Sequence, residues 1–206
     1  AAFKKQQGRL FGEVKTKVLT DSLATKGEIL DGFDWIESEV TQRDVAVVFV
    51  AGHGVNDKRD NYYFLPHDAN PEKLRRSGVQ WSEFNSILQE LPGKTMLLAD
   101  TCKSGNVTGS LKTRGISSSD ATSALMELIR AESGVVVMSA STGSEVSIED
   151  PAWGHGAFTK ALLDGLDGLA DYDRNGVITL KELDLHITRN VKKLTNGSQR
   201  PPTQIP

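Results

Sequence analysis

The only cysteine in the 206 residues is Cys102, and it sits in the stretch Lys94-Thr-Met-Leu-Leu-Ala-Asp100-Thr-Cys102-Lys-Ser-Gly105. A lone cysteine is ordinarily a small buried hydrophobe. Asp100, Lys103, Ser104 and Gly105 are poor company for a core side chain. The second reactive candidate is His53, which follows the apolar run Val45 to Val50 and lies between Gly52 and Gly54. Each candidate lies at the end of an apolar run. If the two runs are neighbouring parallel strands, both residues reach the same sheet edge, where ligands and chemistry collect in open α/β folds. An imidazole beside a thiol can draw off its proton to give the nucleophilic thiolate, or protonate a leaving amine. Flanking glycines leave the imidazole uncrowded and let a ligand approach the backbone. Backbone N–H groups at Gly54 and Cys102 are candidates to hold an oxyanion. Alone, His53 reads equally as a loop histidine. His155 also lies between glycines, but it precedes a helix instead of following a buried strand; His67 and His186 read as structural or solvent-facing.

A second constellation is Asp171-Tyr-Asp173-Arg-Asn175-Gly176-Val177-Ile-Thr179-Leu-Lys-Glu182. It fits the EF-hand calcium loop, with oxygen ligands from Asp171, Asp173, Asn175, the carbonyl of Val177, Thr179 through water and bidentate Glu182. Much of the same stretch has a plainer explanation. Asn175-Gly176 is a common turn, and Thr179 to Glu182 is a capping box for a following helix. EF-hands also usually come in pairs, and only one loop of this kind is present.

The elements that must position these residues follow from periodicity. Leu10 to Leu19 alternates and reads as a strand. Thr25 and Glu28 form a capping box before a helix with Ile29, Phe33, Ile36 and Val40 on one face. Val45 to Val50 has the unbroken apolar character of a central parallel strand, and Tyr62 to Leu65 is a short strand ending at Pro66. Ser82 to Leu91 is helical, with Phe84, Leu88 and Leu91 inward. The strand through Met96 to Ala99 follows. Residues 104–119 have loop composition and are long for a compact domain. Helix 121–131, strand 134–139, a polar loop 140–154, helix 157–166 and a last helix at about 180–194 complete the order. The proline-rich tail from Gln199 reads as irregular. Strands alternating with helices imply an α/β fold, a mostly parallel sheet with helices on both faces.

Composition narrows the function. Hydrophobic residues make up 38% of the chain, which suits one soluble domain with a real core. A net charge of −3 without a long basic run argues against nucleic acid or a membrane surface as partner. One cysteine excludes an internal disulfide framework and a cysteine-rich zinc site, and fits a reducing compartment. No apolar run approaches the length of a membrane span, and Ala1 need not be the native start.

A strand followed by His53-Gly54 and, much later, Asp100-x-Cys102-x-Ser104-Gly105 resembles the caspase-like cysteine peptidases (clan CD, peptidase family C14). The likeness is closest to the metacaspase and bacterial orthocaspase branch, because the Gln-Ala-Cys-x-Gly signature of animal caspases is missing. Phe64-Leu-Pro66-x-Asp68, the strand 134–139, Gly154-His-Gly-Ala-Phe-Thr159 and the last helix extend the likeness over about 10–195. The resemblance implies a caspase-like three-layer sandwich as one domain over 1–206. Its p20-like part would cover about 1–105, its loop about 104–119 and its p10-like part about 120–206. It implies a Cys102/His53 dyad and an S1 pocket built on Asp100, Ala51, Ser139 and Ala140. Asp100 matches the acidic residue that selects Arg or Lys at P1, for which a carboxylate in a narrow cleft is a fitting partner. A strand-end aspartate that caps a turn is the alternative. Self-cleavage after Lys112 or Arg114 is a corollary.

No cofactor is needed for this chemistry, and calcium enters only as a regulator. The expected partner is a protein or peptide substrate, and the expected setting a bacterial cytoplasm, as a monomer. Two departures stand out. Nothing before Leu10 resembles the family's first central strand, which would then come from elsewhere in a fuller protein. The position before Gly52-His53-Gly54, often Ser in metacaspases, is Ala51. The rival readings are a catalytically silent caspase-like interaction module and a calcium-responsive binding domain.

Overall fold

The structure is a computed structural model, which describes residues 2–59, 61–103, 135–140, 148–150 and 153–204, with the backbone alone at 102, 103, 149 and 204. Its elements in chain order are α1 (Lys26–Glu39), β1 (Val45–Asn56), β2 (Tyr62–Phe64), β3 (Val79–Gln80), α2 (Trp81–Glu90), β4 (Lys94–Lys103), β5 (Val135–Ser139), β6 (Glu149–Asp150), β7 (His155–Gly156), α3 (Ala157–Asp164), α4 (Leu180–Leu194) and β8 (Thr203–Gln204). The main sheet has the order β3-β2-β1-β4-β5-β8. Its centre, β1-β4-β5, is parallel, and the strands outside it pair antiparallel. The predicted α/β architecture is therefore present.

Alternation along each central strand divides the core into two layers. Leu97, Ala99, Val135 and Val137 face α1 and α2, where they meet Phe33, Trp81, Phe84 and Leu88. Leu98 and Met138, the next residues along, face α3 and α4, where they meet Phe158, Leu162, Leu183, Ile187 and Val191. Each fully buried Leu, Phe or Met contributes on the order of 1.5–3 kcal/mol. The first layer is also ordered by aromatic edges: the Phe33 and Phe84 rings lie 5.0 Å apart at 87°, a favoured T-shaped contact.

Local signals mark the starts of α1 and α4. The Thr25 side chain accepts from the Glu28 amide at 3.3 Å, and the next amide, Lys26, donates to Asp68 Oδ1 at 2.9 Å. At α4 both halves of the Thr179/Glu182 capping box are formed.

Four expectations change. The segment Leu10 to Leu19 is irregular apart from one bridge between Gln7 and Phe11. Alternation makes a strand only where a neighbour supplies a ladder, and among the described residues none does. Instead Lys15 pairs with Glu39 and Lys17 donates to the Asp31 carbonyl, tying the segment to α1. The tail, read as irregular, ends in β8, which pairs with Val137 and Met138 of β5. The polar loop before α3 holds the β6–β7 hairpin. Finally, β1 and β4 run on through their motifs, so His53 and Cys102 lie within strands and not beyond them.

Candidate active site

The parallel pair β1–β4 stays in register from Val45 opposite Lys94 to Gly54 opposite Lys103. That register sets His53 beside Cys102 and Ala51 beside Asp100. Neighbouring strands lie about 4.8 Å apart, so the dyad positions are adjacent in the backbone although they are 49 positions apart in the sequence. On the other side of β4, Ala99 pairs with Ser139, and Ala140 follows it directly, donating to the Ala99 carbonyl at 2.8 Å. Ala51, Asp100 and Ser139 thus stand on three consecutive strands near one level of the sheet.

His53 is exposed, and its carbonyl accepts from the Leu65 amide at 2.9 Å. The backbone is pinned by that bond while the imidazole reaches solvent. The flanking glycines also have a packing reason. A Cβ at Gly54 would fall 1.8 Å from the Tyr62 hydroxyl, and one at Gly52 would meet the Phe64 ring at 3.0 Å. The aromatic residues of β2 lie across the backbone that carries the histidine. Gly52 also has φ +151, within the range that favours glycine.

Asp100 is buried, with 7% of its surface exposed. Its carboxylate accepts from the Thr159 amide at 3.2 Å and from the Thr159 hydroxyl. Thr159 is the third residue of α3, whose N-cap is Gly156 and whose first turn holds no acidic residue. Asp100 therefore caps α3 from a neighbouring strand, supplying an acceptor that the helix's own N-cap lacks. The capping alternative weighed for this aspartate is real, but the object capped is a distant helix. Nothing in sequence spacing pointed to Thr159 or Gly156; both are fixed by how α3 docks on the sheet. Gln199 is a third residue that sequence reasoning missed. It is fully buried, accepts from the Ile148 amide at 3.1 Å, and donates to the Ala140 carbonyl at 3.4 Å.

The other histidines lie apart from the β1–β4 register. His155 stands opposite Asp150 in the β6–β7 hairpin. The exposed His67 is tied by its amide to the Ala24 carbonyl at 2.8 Å. His186 is buried on α4, where burial lowers its pKa below the ordinary histidine value. Lys112 and Arg114 lie outside the described residues.

The 171–182 loop is a turn that leads into the capping box of α4. Carboxylate oxygens of Asp171, Asp173 and Glu182 lie within 4.8 Å of one another. Gly176 makes the turn at φ +82, and its amide donates to Asp171 Oδ2 at 2.9 Å. The Asn175 amide donates to both Asp171 and Asp173 at 3.1 Å. Glu182 accepts from the amides of Thr179 at 2.9 Å and Tyr172 at 3.2 Å. Together with the Thr179 hydroxyl, these donors hold its carboxyl below the usual carboxylate range. The three carboxylates of Asp171, Asp173 and Glu182 are the groups that could hold a hard cation such as calcium. Glu182 serves the capping box with one oxygen and the Tyr172 amide with the other.

Among the described residues, no helix is long and apolar enough to cross a membrane. No curated protein matches the sequence. Among solved structures, a crystal structure of a Geobacter sulfurreducens protein matches over 92% of this chain and 77% of its own, with TM-score 0.60 and 18% identity. At that identity the likeness is one of fold. The model of the caspase domain, peptidase family C14, matches residues 5–205. With the sheet and the strand motifs already in place, the chain belongs to the caspase-domain family of cysteine peptidases.

Proposed function

We propose that the chain is a cysteine endopeptidase of the metacaspase-like type, cleaving after Arg or Lys, with Cys102 as nucleophile and His53 as general acid/base. The observation that carries this reading is the β1–β4 register, in which His53 pairs with Cys102 and Ala51 with Asp100. The Cys102 thiolate attacks the scissile carbonyl, and the carbonyl electrons move onto oxygen. As the tetrahedral intermediate collapses, the C–N bond breaks and the His53 imidazolium gives its proton to the leaving amine. Water, deprotonated by the now neutral His53, attacks the thioester and releases the acid and the thiolate.

Asp100 supports the P1 assignment. It stands two strand residues before Cys102, about 6.6 Å along the chain. A long cationic side chain entering beside the nucleophile spans such a depth, whereas an aspartate does not. Ala51 and Ala140 would form the walls, Ser139 lying with Ala99 on the other face of the sheet, and the small Ala51 leaves its wall without a polar contact. The peptide bonds after Lys112 and Arg114 carry the matching residues for self-processing. Calcium at Asp171, Asp173, Asn175, the Val177 carbonyl, Thr179 and Glu182 would act as a structural ion at the entry to α4.

Hydrolysis of fluorogenic peptides with Arg, Lys or Asp at P1, with and without millimolar calcium, tests this reading. Cleavage after Arg and Lys that disappears in Cys102→Ala and His53→Ala is expected. Cleavage after Asp would overturn the pocket assignment, and activity surviving in Cys102→Ala would overturn the nucleophile. No cleavage by the wild type under any condition would favour a silent interaction module.

A further inference from the structure

We infer that Thr159 and Gly156 are positioning residues for Asp100, and that through it they set a preference for guanidinium over ammonium at P1. The inference rests on the reading of Asp100 as the group that receives P1. Thr159 of α3 holds the Asp100 carboxylate, with both its amide (3.2 Å) and its hydroxyl donating to Oδ2. Gly156 closes the arrangement. Its φ of −67 is open to any residue, so its backbone does not demand glycine. A Cβ there would instead lie 2.6 Å from Asp100 Oδ2 and 3.0 Å from Oδ1. The missing side chain is the space that the carboxylate occupies.

Fixing one oxygen fixes the plane of the carboxylate. A guanidinium is a rigid planar fork that gains most when both oxygens present to it in one plane. An ammonium is a compact point charge and tolerates rotation of its partner. Loosening Asp100 without removing its charge should therefore weaken Arg more than Lys. Thr159→Val does this, since it keeps the branched volume and the amide and deletes the hydroxyl. Thr159→Ser returns the hydroxyl.

The test measures equilibrium binding of N-acetyl tripeptide amides ending in Arg or Lys to the Cys102→Ala protein, which makes the readout independent of turnover. With Thr159 present, the Arg ligand should bind more tightly than the Lys ligand. Thr159→Val should weaken Arg by about tenfold or more, the scale of one hydrogen bond to a charged group. It should weaken Lys by less than about threefold, the point charge being indifferent to the plane. Thr159→Ser should restore the ratio, and Gly156→Ala should weaken both ligands. Circular dichroism of each variant checks that α3 is retained. If Asp100→Asn binds both ligands as well as its parent, or if the parent binds neither, the pocket reading fails and this inference with it. If Asp100→Asn abolishes binding while Thr159→Val leaves the Arg-to-Lys ratio unchanged, the pocket stands and the positioning inference is overturned.

Discussion

Asp100 is assigned two tasks, and its structural task can be measured without any substrate. Replacing it with alanine removes the acceptor for the Thr159 amide and hydroxyl at the start of α3. Loss of an N-cap acceptor costs about 0.5–2 kcal/mol. Leaving a partly buried donor without a partner costs up to about 1–3 kcal/mol, and loss of the negative charge at a helix N-terminus costs about 0.3–1 kcal/mol. These figures describe overlapping parts of one interaction, so the expected total for Asp100→Ala is about 2–4 kcal/mol. Asp100→Asn keeps a carbonyl oxygen for the Thr159 donors and loses only the charge, so about 1 kcal/mol is expected. Equilibrium urea unfolding reads both, as a lower midpoint at unchanged slope. The reasoning fails if Asp100→Ala lies within about 0.5 kcal/mol of wild type, the size of an ordinary surface change. It fails too if Asn costs as much as Ala, because the oxygen would then not be what the helix uses.

Three further outcomes follow from the packing. Gly54→Ala places a Cβ 1.8 Å from the Tyr62 hydroxyl; it should destabilise by about 1–3 kcal/mol, and a double-mutant cycle with Tyr62→Ala should show strong coupling between the two positions. His186 is buried at 4% exposure, and burial lowers its pKa from 6.5. The unfolded chain binds the proton more readily than the native state, so stability is full above pH 6.5 and is lost as pH falls from there through the lowered native value. Replacing His186 with Leu should flatten that part of the urea-midpoint profile measured between pH 5 and 8; an unchanged profile would mean another group carries it. Calcium at one hundred times its dissociation constant should stabilise the protein by about 2.7 kcal/mol, read as a rise in melting temperature that Asp171→Asn abolishes; no rise would leave the loop as a capped turn.

The parts of the site that sequence reveals are those fixed by local pattern. Apolar runs at Val45–Val50 and Met96–Ala99 mark two central strands, and the residues that follow them mark the dyad positions, because parallel neighbours must bring their corresponding ends together. The Thr179/Glu182 box announces α4 for the same reason: the cap and the helix it begins are three residues apart. What stayed hidden depends on docking between distant segments. Asp100 meets Thr159 only because α3 packs across the end of β4, and Gly54 must be glycine only because Tyr62 folds over it. The tail pairs with β5 through Thr203 because β5 has an open edge there, which no property of the tail itself discloses. Leu10 to Leu19 errs in the opposite direction: its alternation is sound, but a strand needs a partner as well as a pattern.

The central claim is that Cys102 is a nucleophile served by a pocket for basic residues. Its most direct test is covalent trapping: the protein is incubated with peptidyl acyloxymethyl ketones bearing Arg or Asp at P1, and intact mass and peptide mapping follow. The account predicts one adduct, on Cys102, formed rapidly with the Arg reagent and slowly or not at all with the Asp reagent, and lost in His53→Ala. Equal labelling by both reagents, or an adduct at any other residue, would contradict it.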